Sequence, residues 1–275
     1  MKSEILVSAC IITYNHENYI EECIKGALGQ EIKNYEIIIG DDCSNDNTSE
    51  ICQKYADLYP DIIKYQRRIE NLGMIGNWLT TLKNAQGKYI AICEGDDYWT
   101  DPLKLQKQVD FLKENEDFVI TGHDAKVIDS IGNLVKESQL PESVKRDASS
   151  YELKKGFWIS TLTMCFRNVI TEYPKELYEV TNCDTFLTSL LGNHGNYKYM
   201  KNVEKGAYRL HEGGIWSAER SVKRIKHHIN TFNQLSNYYY RLGDKNFAKE
   251  IKPSKFSLIW RLGSNVKKYI LSKLR

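Results

Sequence analysis

No long hydrophobic run opens this 275-residue chain. The apolar stretch Ile5 to Ile12 falls far short of the roughly 20 residues a bilayer span needs, and Glu4 interrupts the basic start that a secretory leader requires. The expectation is therefore a chain that stays inside the cell. Its seven cysteines form an odd set with no CxxC pair, which argues against a disulfide framework and a structural zinc site and leaves buried, reduced thiols. The first apolar run is not followed by GxGxxG, and no GxxxxGK[ST] loop occurs anywhere, so a dinucleotide-dependent dehydrogenase and a P-loop enzyme are both disfavoured. Internal repeats and low-complexity tracts are absent too.

What is present suits a soluble globular protein with a sizeable core: 41% hydrophobic residues, 27% charged residues and a mean hydropathy of −0.51. The formal charge of +2 hides an asymmetry. Residues 221–275 hold 13 Lys or Arg against only Asp244 and Glu250, a net +11 that leaves −9 for residues 1–220. An acidic body with a basic tail points to nucleic acid or an anionic membrane, and since nothing resembles a nucleic-acid module, the membrane is favoured and no nucleic-acid partner is expected.

Apolar runs and helical periodicities alternate along the first 115 residues. Leu6 to Thr13 reads as a strand buried on both faces, and Tyr19, Ile20, Cys23, Ile24 and Ala27 recur at helical spacing. Tyr35 to Gly40 forms a second strand, and Asn47 followed by Glu50 looks like a capping box opening a helix to Tyr59. Further strands are predicted over 62–66 and 89–93, helices over 76–84 and 103–115, and a strand-like stretch over 118–129. Beyond it, 136–150 reads as a loop, 157–166 as a strand, 185–191 as a helix and 219–242 as a long helix. The alternation implies an open α/β sheet.

In such a sheet, ligands bind beyond the carboxyl ends of the strands. Three polar clusters fall there: Thr13-Tyr14-Asn15, Asp41-Asp42-Cys43-Ser44 and Glu94-Gly95-Asp96-Asp97. With no phosphate-cradling loop, a diphosphate ligand needs a metal ion for charge neutralisation, and adjacent Asp96 and Asp97 offer hard oxygen ligands for Mg2+ or Mn2+.

These segments together carry a resemblance. VSACIITYNHENYI, EIIIGDDCSNDNT, ENLGMIGN and GKYIAICEGDDYWTDPLKL, in this order over about residues 5–112, are similar to the nucleotide-binding half of the family 2 glycosyltransferases. The resemblance implies a GT-A-type, Rossmann-like open sheet with helices on both faces and a nucleotide-sugar donor, UDP-linked by preference. By position it sets Tyr14 against the nucleobase, flanked by Thr13 and Asn15, Asp42 on a ring nitrogen, Asp96 near the ribose and Asp97 on the metal. Asn71, Gly73 and Asn77 resemble the family's Asn-x-Gly segment beside the donor. Glu94 stands where the family often has Asp, which makes its role the least defined of the three acids.

The resemblance also implies an inverting transfer whose base is an acid at a helix start, a placement that Asp184 matches, with Asp's frequent use as an N-cap as the plainer alternative. Tyr208-Arg209-Leu210-His211 resembles the late Tyr-Arg-x-His segment, whose histidine closes over diphosphate or metal. Trp158 and Trp216 suit either sugar stacking or core packing. The expected organisation is a transferase domain over 1–218, divided into a nucleotide-sugar-binding half, 1–115, and an acceptor half, 116–218, followed by a helical, basic extension over 219–275. Within that extension, 252–275 interleaves cations with apolar residues, as a segment lying on an anionic membrane does. Such an enzyme would be cytoplasmic, peripheral at the membrane's inner face, and act on a glycan or lipid-linked acceptor. Two rivals stay open: a sugar-phosphate nucleotidyltransferase, which wants a Gly-rich, basic signature that Tyr14-Asn15-His16-Glu17 does not supply, and a nucleotide-sugar-binding protein without turnover.

Overall fold

The computed structural model describes residues 4–214 and 221–253. Its contacts divide the chain into two units: Met1–Tyr173 with Cys183–Glu219, and Pro174–Asn182 with Arg220–Arg275. The expected extension over 219–275 thus gains a second segment, 174–182.

The first unit is a mixed α/β sandwich. β1 (Val7–Thr13), β2 (Tyr35–Asp41), β3 (Ile63–Arg67) and β4 (Tyr89–Glu94) alternate with α1 (Ile20–Leu28), α2 (Thr48–Leu58) and α3 (Gly73–Lys83), and α4 (Lys104–Glu114) follows β4. Then come β5 (Phe118–Gly122), β6 (Ala125–Ile128), β7 (Leu134–Lys136), α5 (Ser150–Lys154), β8 (Cys165–Arg167), α6 (Cys183–Leu191), β9 (Asn196–Tyr199) and β10 (Gly206–Arg209). The seven-stranded sheet runs β3-β2-β1-β4-β8-β5-β9, and a smaller one runs β10-β6-β7. The pairs of β1 with β2 and β4, and of β2 with β3, are parallel, while β8 lies antiparallel between β4 and β5. All seven residues of β1 are buried, as its unbroken apolar run requires. Val7, Ala9, Ile11, Ile37, Ile39, Tyr89 and Ala91 share one core with Ile20, Ile24 and Ala27 of α1 and Leu105, Val109 and Leu112 of α4.

The predicted elements of the first 115 residues all form, within a few residues of their expected bounds. The capping box at Asn47 does not. Asn47 already has turn-like backbone angles, φ −73° and ψ 3°, and Asp46 Oδ1 takes the Thr48 N–H at 3.0 Å instead. The stretch 118–129 breaks into two strands of different sheets, because Asp124 turns its carboxylate onto the backbone N–H groups of Ala125 and Leu140. Of 157–166, only the end is extended; Thr161–Thr163 is a 3-10 turn.

The second unit is helical. α7 (Ser221–Arg241) and α8 (Lys245–Ile251) bury Phe232, Leu235, Tyr239, Phe247 and Ile251, and Asp244 caps α8 by accepting the Phe247 N–H at 3.2 Å. The 3-10 turn Lys175–Glu179 joins this unit through a bidentate ion pair, Arg241 to Glu176, at 2.7 and 2.8 Å. Residues 254–275, most of the predicted membrane-binding segment, lie outside the described residues, as does Trp216. Among the described residues, no helix is long and apolar enough to cross a membrane.

Candidate functional site

Parallel strands β1, β2 and β4 end side by side, with Thr13 beside Asp41 and Ile12 beside Glu94. The three polar clusters therefore reach one edge of the sheet. The loop after β1 is stitched to the loop after β2. Asn15 donates its N–H to Ser44 Oγ at 2.9 Å and accepts the Asn45 N–H at 2.8 Å, and His16 donates its N–H to Thr48 Oγ1 at 2.7 Å. Asn15 holds φ +54°, which asparagine tolerates better than most residues. Asn15 thus latches two loops, and its neighbour Tyr14 stays 41% exposed at the rim.

The two aspartates after β2 differ in role. Asp41 is fully buried and accepts from Ser44 Oγ (2.5 Å), Ser49 Oγ (2.6 Å) and Tyr65 Oη (2.8 Å), which makes it a structural hub. Asp42 accepts the Leu72 N–H at 2.7 Å. Burial pushes its carboxyl above the usual range, against the backbone hydrogen bonds of Leu72 and Gly73 and the charge of Arg68. Asn71 Oδ1 accepts the Gly73 N–H at 2.9 Å, closing a turn that needs glycine because Gly73 has φ +73°. Asn77, expected beside the donor, is buried with both ends engaged: its Nδ2 donates to Gly40 O at 2.8 Å and its Oδ1 accepts from Arg68 Nε at 2.9 Å. It braces the loop between β2 and Arg68.

At the end of β4, three acids crowd together. Glu94 has one buried carboxylate oxygen, Oε2, without a hydrogen-bond partner. Burial first, then the charges of Asp96 and Asp184, push this carboxyl up to about 8. Asp96 differs. Burial raises it, but a hydrogen bond from His211 and the charges of His16 and His211 outweigh that and hold it below the usual range. Its Oδ2 lies 2.9 Å from His211 Nε2. Asp97, expected on the metal, accepts the Arg209 N–H at 2.8 Å, and burial pushes its carboxyl well up, with Asp96 and Glu94 adding to the rise.

Arg209 is the clasp of this arrangement. Nearly fully buried, it donates from Nε to Asp96 O at 2.9 Å and from Nη2 to Glu22 Oε2 at 2.5 Å, with its guanidinium 4.8 Å from the Tyr19 ring. β10 is thereby fixed to the acidic turn, and His211, two residues on, arrives at Asp96. Thr13 Oγ1 lies 3.2 Å from His16 Nδ1 on the other side. One donor atom each from His16, Asp96 and His211 falls within 4.8 Å of the others, a set from which Asp97 is absent. Burial lowers the His16 imidazole below its usual value, with Asp96 opposing, and a neutral imidazole is the form that binds metal. Two imidazoles and a carboxylate at this spacing fit a divalent cation. Sequence reasoning named Asp96 and His211 but gave no role to His16, Arg209 or Arg68, although each stands in a segment already singled out or directly after a strand.

Asp184 occupies the first turn of α6. Burial raises its carboxyl against hydrogen bonds from Thr185, and its charge reaches Glu94, so it shares the electrostatic surroundings of the acidic turn. Trp158 is half exposed in the same unit. All seven cysteines are free and six are buried, as expected of inert thiols; Cys43 is the half-buried exception.

Residues 8–173 match the family model described as Glycosyl transferase family 2. The chain is 34% identical over 220 residues to the uncharacterized protein Rv1520 of Mycobacterium tuberculosis, covering 79% of this chain and 62% of that protein. It is 37% identical over 131 residues to the UDP-Glc:alpha-D-GlcNAc-diphosphoundecaprenol beta-1,3-glucosyltransferase WfaP of Escherichia coli, covering 42% of this chain and 50% of the relative. S. aureus TarS 1-349 in complex with UDP-GlcNAc shares the fold at a TM-score of 0.63 and 19% identity, over 84% of this chain and 66% of that one. So does the mannosyltransferase PcManGT from Pyrobaculum calidifontis in complex with GDP-Man and Mn2+, at 0.62 and 17%, over 84% and 64%. The chain thus spans less than two thirds of the length of the two sequence relatives.

Proposed function

The chain belongs to glycosyltransferase family 2, and from that premise we propose that it moves a sugar from a nucleotide-activated donor to a hydroxyl acceptor, with inversion at the anomeric carbon. The observation that carries this reading is the meeting of Asp42, Asp96 and His211 at one strand edge, with Asp184 within electrostatic reach of Glu94. Exposed Tyr14 supplies a stacking face for a nucleobase, and Asp42 an acceptor for a ring N–H. UDP is the favoured nucleotide, in line with the donor in WfaP's name and the ligand bound to TarS.

Asp96 and His211 are the residues we assign to a divalent metal, Mn2+ or Mg2+, which when bound supplies positive charge to the departing diphosphate. Arg209 braces the acidic turn through the Asp96 carbonyl and the Asp97 carboxylate and brings His211, two residues on, to Asp96. Asp184 acts as the general base: as the acceptor oxygen forms its bond to the anomeric carbon and the bond to the diphosphate breaks, the hydroxyl proton passes to Asp184. Its raised proton affinity makes it a stronger base than an ordinary carboxylate.

The acceptor belongs to surface polysaccharide or glycan assembly, and WfaP's named acceptor, a diphosphoundecaprenol-linked sugar, makes a lipid-linked one the favoured class. An enzyme with such an acceptor works at the cytoplasmic face of a membrane, where the basic residues of 252–275 would add attraction to anionic lipid. The test is turnover of a panel of UDP-sugars with Mn2+, read as UDP release. Asp184→Asn should lose roughly 100- to 10,000-fold of the rate, the usual worth of a general base, while still binding UDP. Unchanged turnover would remove Asp184 from the mechanism.

A further inference from the structure

Asp96 and His211 come together through β4 and β10, but the third member of the cluster comes from neither. His16 sits in the turn after β1, held at its backbone and at one ring nitrogen. Its backbone N–H is tied to Thr48 Oγ1 at 2.7 Å, and its Nδ1 lies 3.2 Å from Thr13 Oγ1. A β-carbon added at Gly95 would stand 2.9 Å from that same nitrogen and 2.7 Å from Thr13 Oγ1, so glycine there lets the acidic turn close against the pair. The His16 and His211 rings meet edge to face with centroids 5.9 Å apart, and their donor atoms and that of Asp96 lie within 4.8 Å of one another. A hydrogen-bond partner on one ring nitrogen orients a metal-binding imidazole through the other, and Thr13 Oγ1 is placed to act as that partner for His16.

We propose that His16 is a third protein ligand, so that the cation is held by two imidazoles and one carboxylate and the site selects a first-row transition ion, Co2+ or Mn2+, over Mg2+. The inference rests on the metal assignment made for Asp96 and His211, and goes beyond it in ligand count and ion preference. Mg2+ is held by oxygen donors and gives up water reluctantly, whereas affinity for nitrogen donors rises along the first-row divalent ions from Mn2+ through Co2+. A carboxylate with one imidazole, the remaining positions being filled by water and diphosphate, would accept either ion. A second imidazole tilts the choice. Three donors from the chain also make a site that holds its ion before any nucleotide arrives.

The experiment titrates the intact protein with Mn2+ alone, read by loss of the free-ion electron paramagnetic resonance signal. Mg2+ serves as competitor, and Co2+ as a visible-absorption probe of the ligand set. Wild type should bind Mn2+ without nucleotide and at least roughly 10-fold more tightly than Mg2+. His16→Ala should lose at least about 10-fold of the Mn2+ affinity, since even an outer-shell partner is worth that much, and should change the Co2+ spectrum. His16→Asp, which restores a donor of the oxygen type, should recover binding with the preference moved toward Mg2+; this variant, with a thermal melt on both, separates a lost ligand from a lost fold. A folded His16→Ala protein with wild-type Mn2+ affinity and an unchanged Co2+ spectrum overturns the proposal, as does equal binding of Mg2+ by wild type, or no binding of Mn2+ alone. Asp96→Asn keeps the two readings apart. If it abolishes metal binding in the presence of UDP while His16→Ala changes nothing, the metal site stands and His16 is not part of it; if neither variant matters, the Asp96 and His211 assignment itself has failed.

Discussion

Lys104 is a buried cation at the start of α4, a few residues after the acidic turn. Its ammonium lies 4.2 Å from the centre of the Trp99 ring and donates to Gln108 Oε1 at 2.8 Å; Trp99 Nε1 donates to Leu162 O at 2.7 Å and Gln108 Nε2 to Thr163 O at 2.9 Å. Together these contacts fix the segment that follows Asp97. Burial, only partly opposed by the neighbouring Cys165 and Cys93 and then by Asp101, pushes Lys104 from 10.5 to about 8. That gap of about 2.5, at 1.36 kcal/mol for each pH unit, is a cost of about 3 kcal/mol for keeping the charge in the folded state. Because the folded value is depressed, the unfolded chain binds more protons between about pH 8 and pH 10.5, and stability contributed by this group rises through that window. By about pH 9.5 roughly 2 kcal/mol of the cost is released. Lys104→Met keeps the length and removes the charge, so urea denaturation of both proteins at about pH 7 and pH 9.5 isolates the effect. Tyrosines such as Tyr197, which burial raises, act equally in both. Wild type should gain about 2 kcal/mol on the variant across the interval. A stability difference that does not change with pH would refute the reasoning.

Arg209→Ala leaves the carbonyls of Asp96 and Ser130 without the guanidinium donor and removes the ion pair with Glu22. It should cost about 2–3 kcal/mol of stability by denaturant titration, the scale set by unsatisfied buried groups, and weaken Mn2+-dependent UDP binding through the displaced His211. Wild-type UDP binding by a folded variant would show that the clasp does not position the site. Deletion of 252–275, seven cations with no acid, should weaken sedimentation with anionic liposomes while sparing UDP binding; equal sedimentation would retire the membrane role of that segment.

The strand–helix alternation was legible in the sequence because β1, β2 and β4 are buried on both faces and need unbroken apolar runs, with polar clusters where each strand stops. Side chains that redirect the backbone were not legible. The run from Phe118 to Asp129 gives no hint of a change of sheet, which accompanies the Asp124 carboxylate accepting the amides of Ala125, at the start of β6, and of Leu140. Adjacent acids pose the same difficulty. In one dimension Asp96 and Asp97 are equivalent, and only in three does Asp96 meet His211 while Asp97 accepts the Arg209 N–H, more than a hundred residues away. Asn77 has a ligand-like composition and neighbourhood, but Arg68 and Gly40 use both of its ends. Asp184 stands out in the sequence by its helix-start position alone, while its surroundings, a carboxyl raised by burial and within reach of Glu94, come only from three dimensions.

The most direct measurement is calorimetric titration of the whole protein with UDP and GDP, each with Mn2+ and with a chelator, for wild type and Asp96→Asn. A metal-dependent nucleotide-sugar site predicts UDP binding by wild type that needs Mn2+, exceeds GDP binding and is lost in the variant. Absence of nucleotide binding by folded wild type, or binding indifferent to metal and to Asp96, would contradict it.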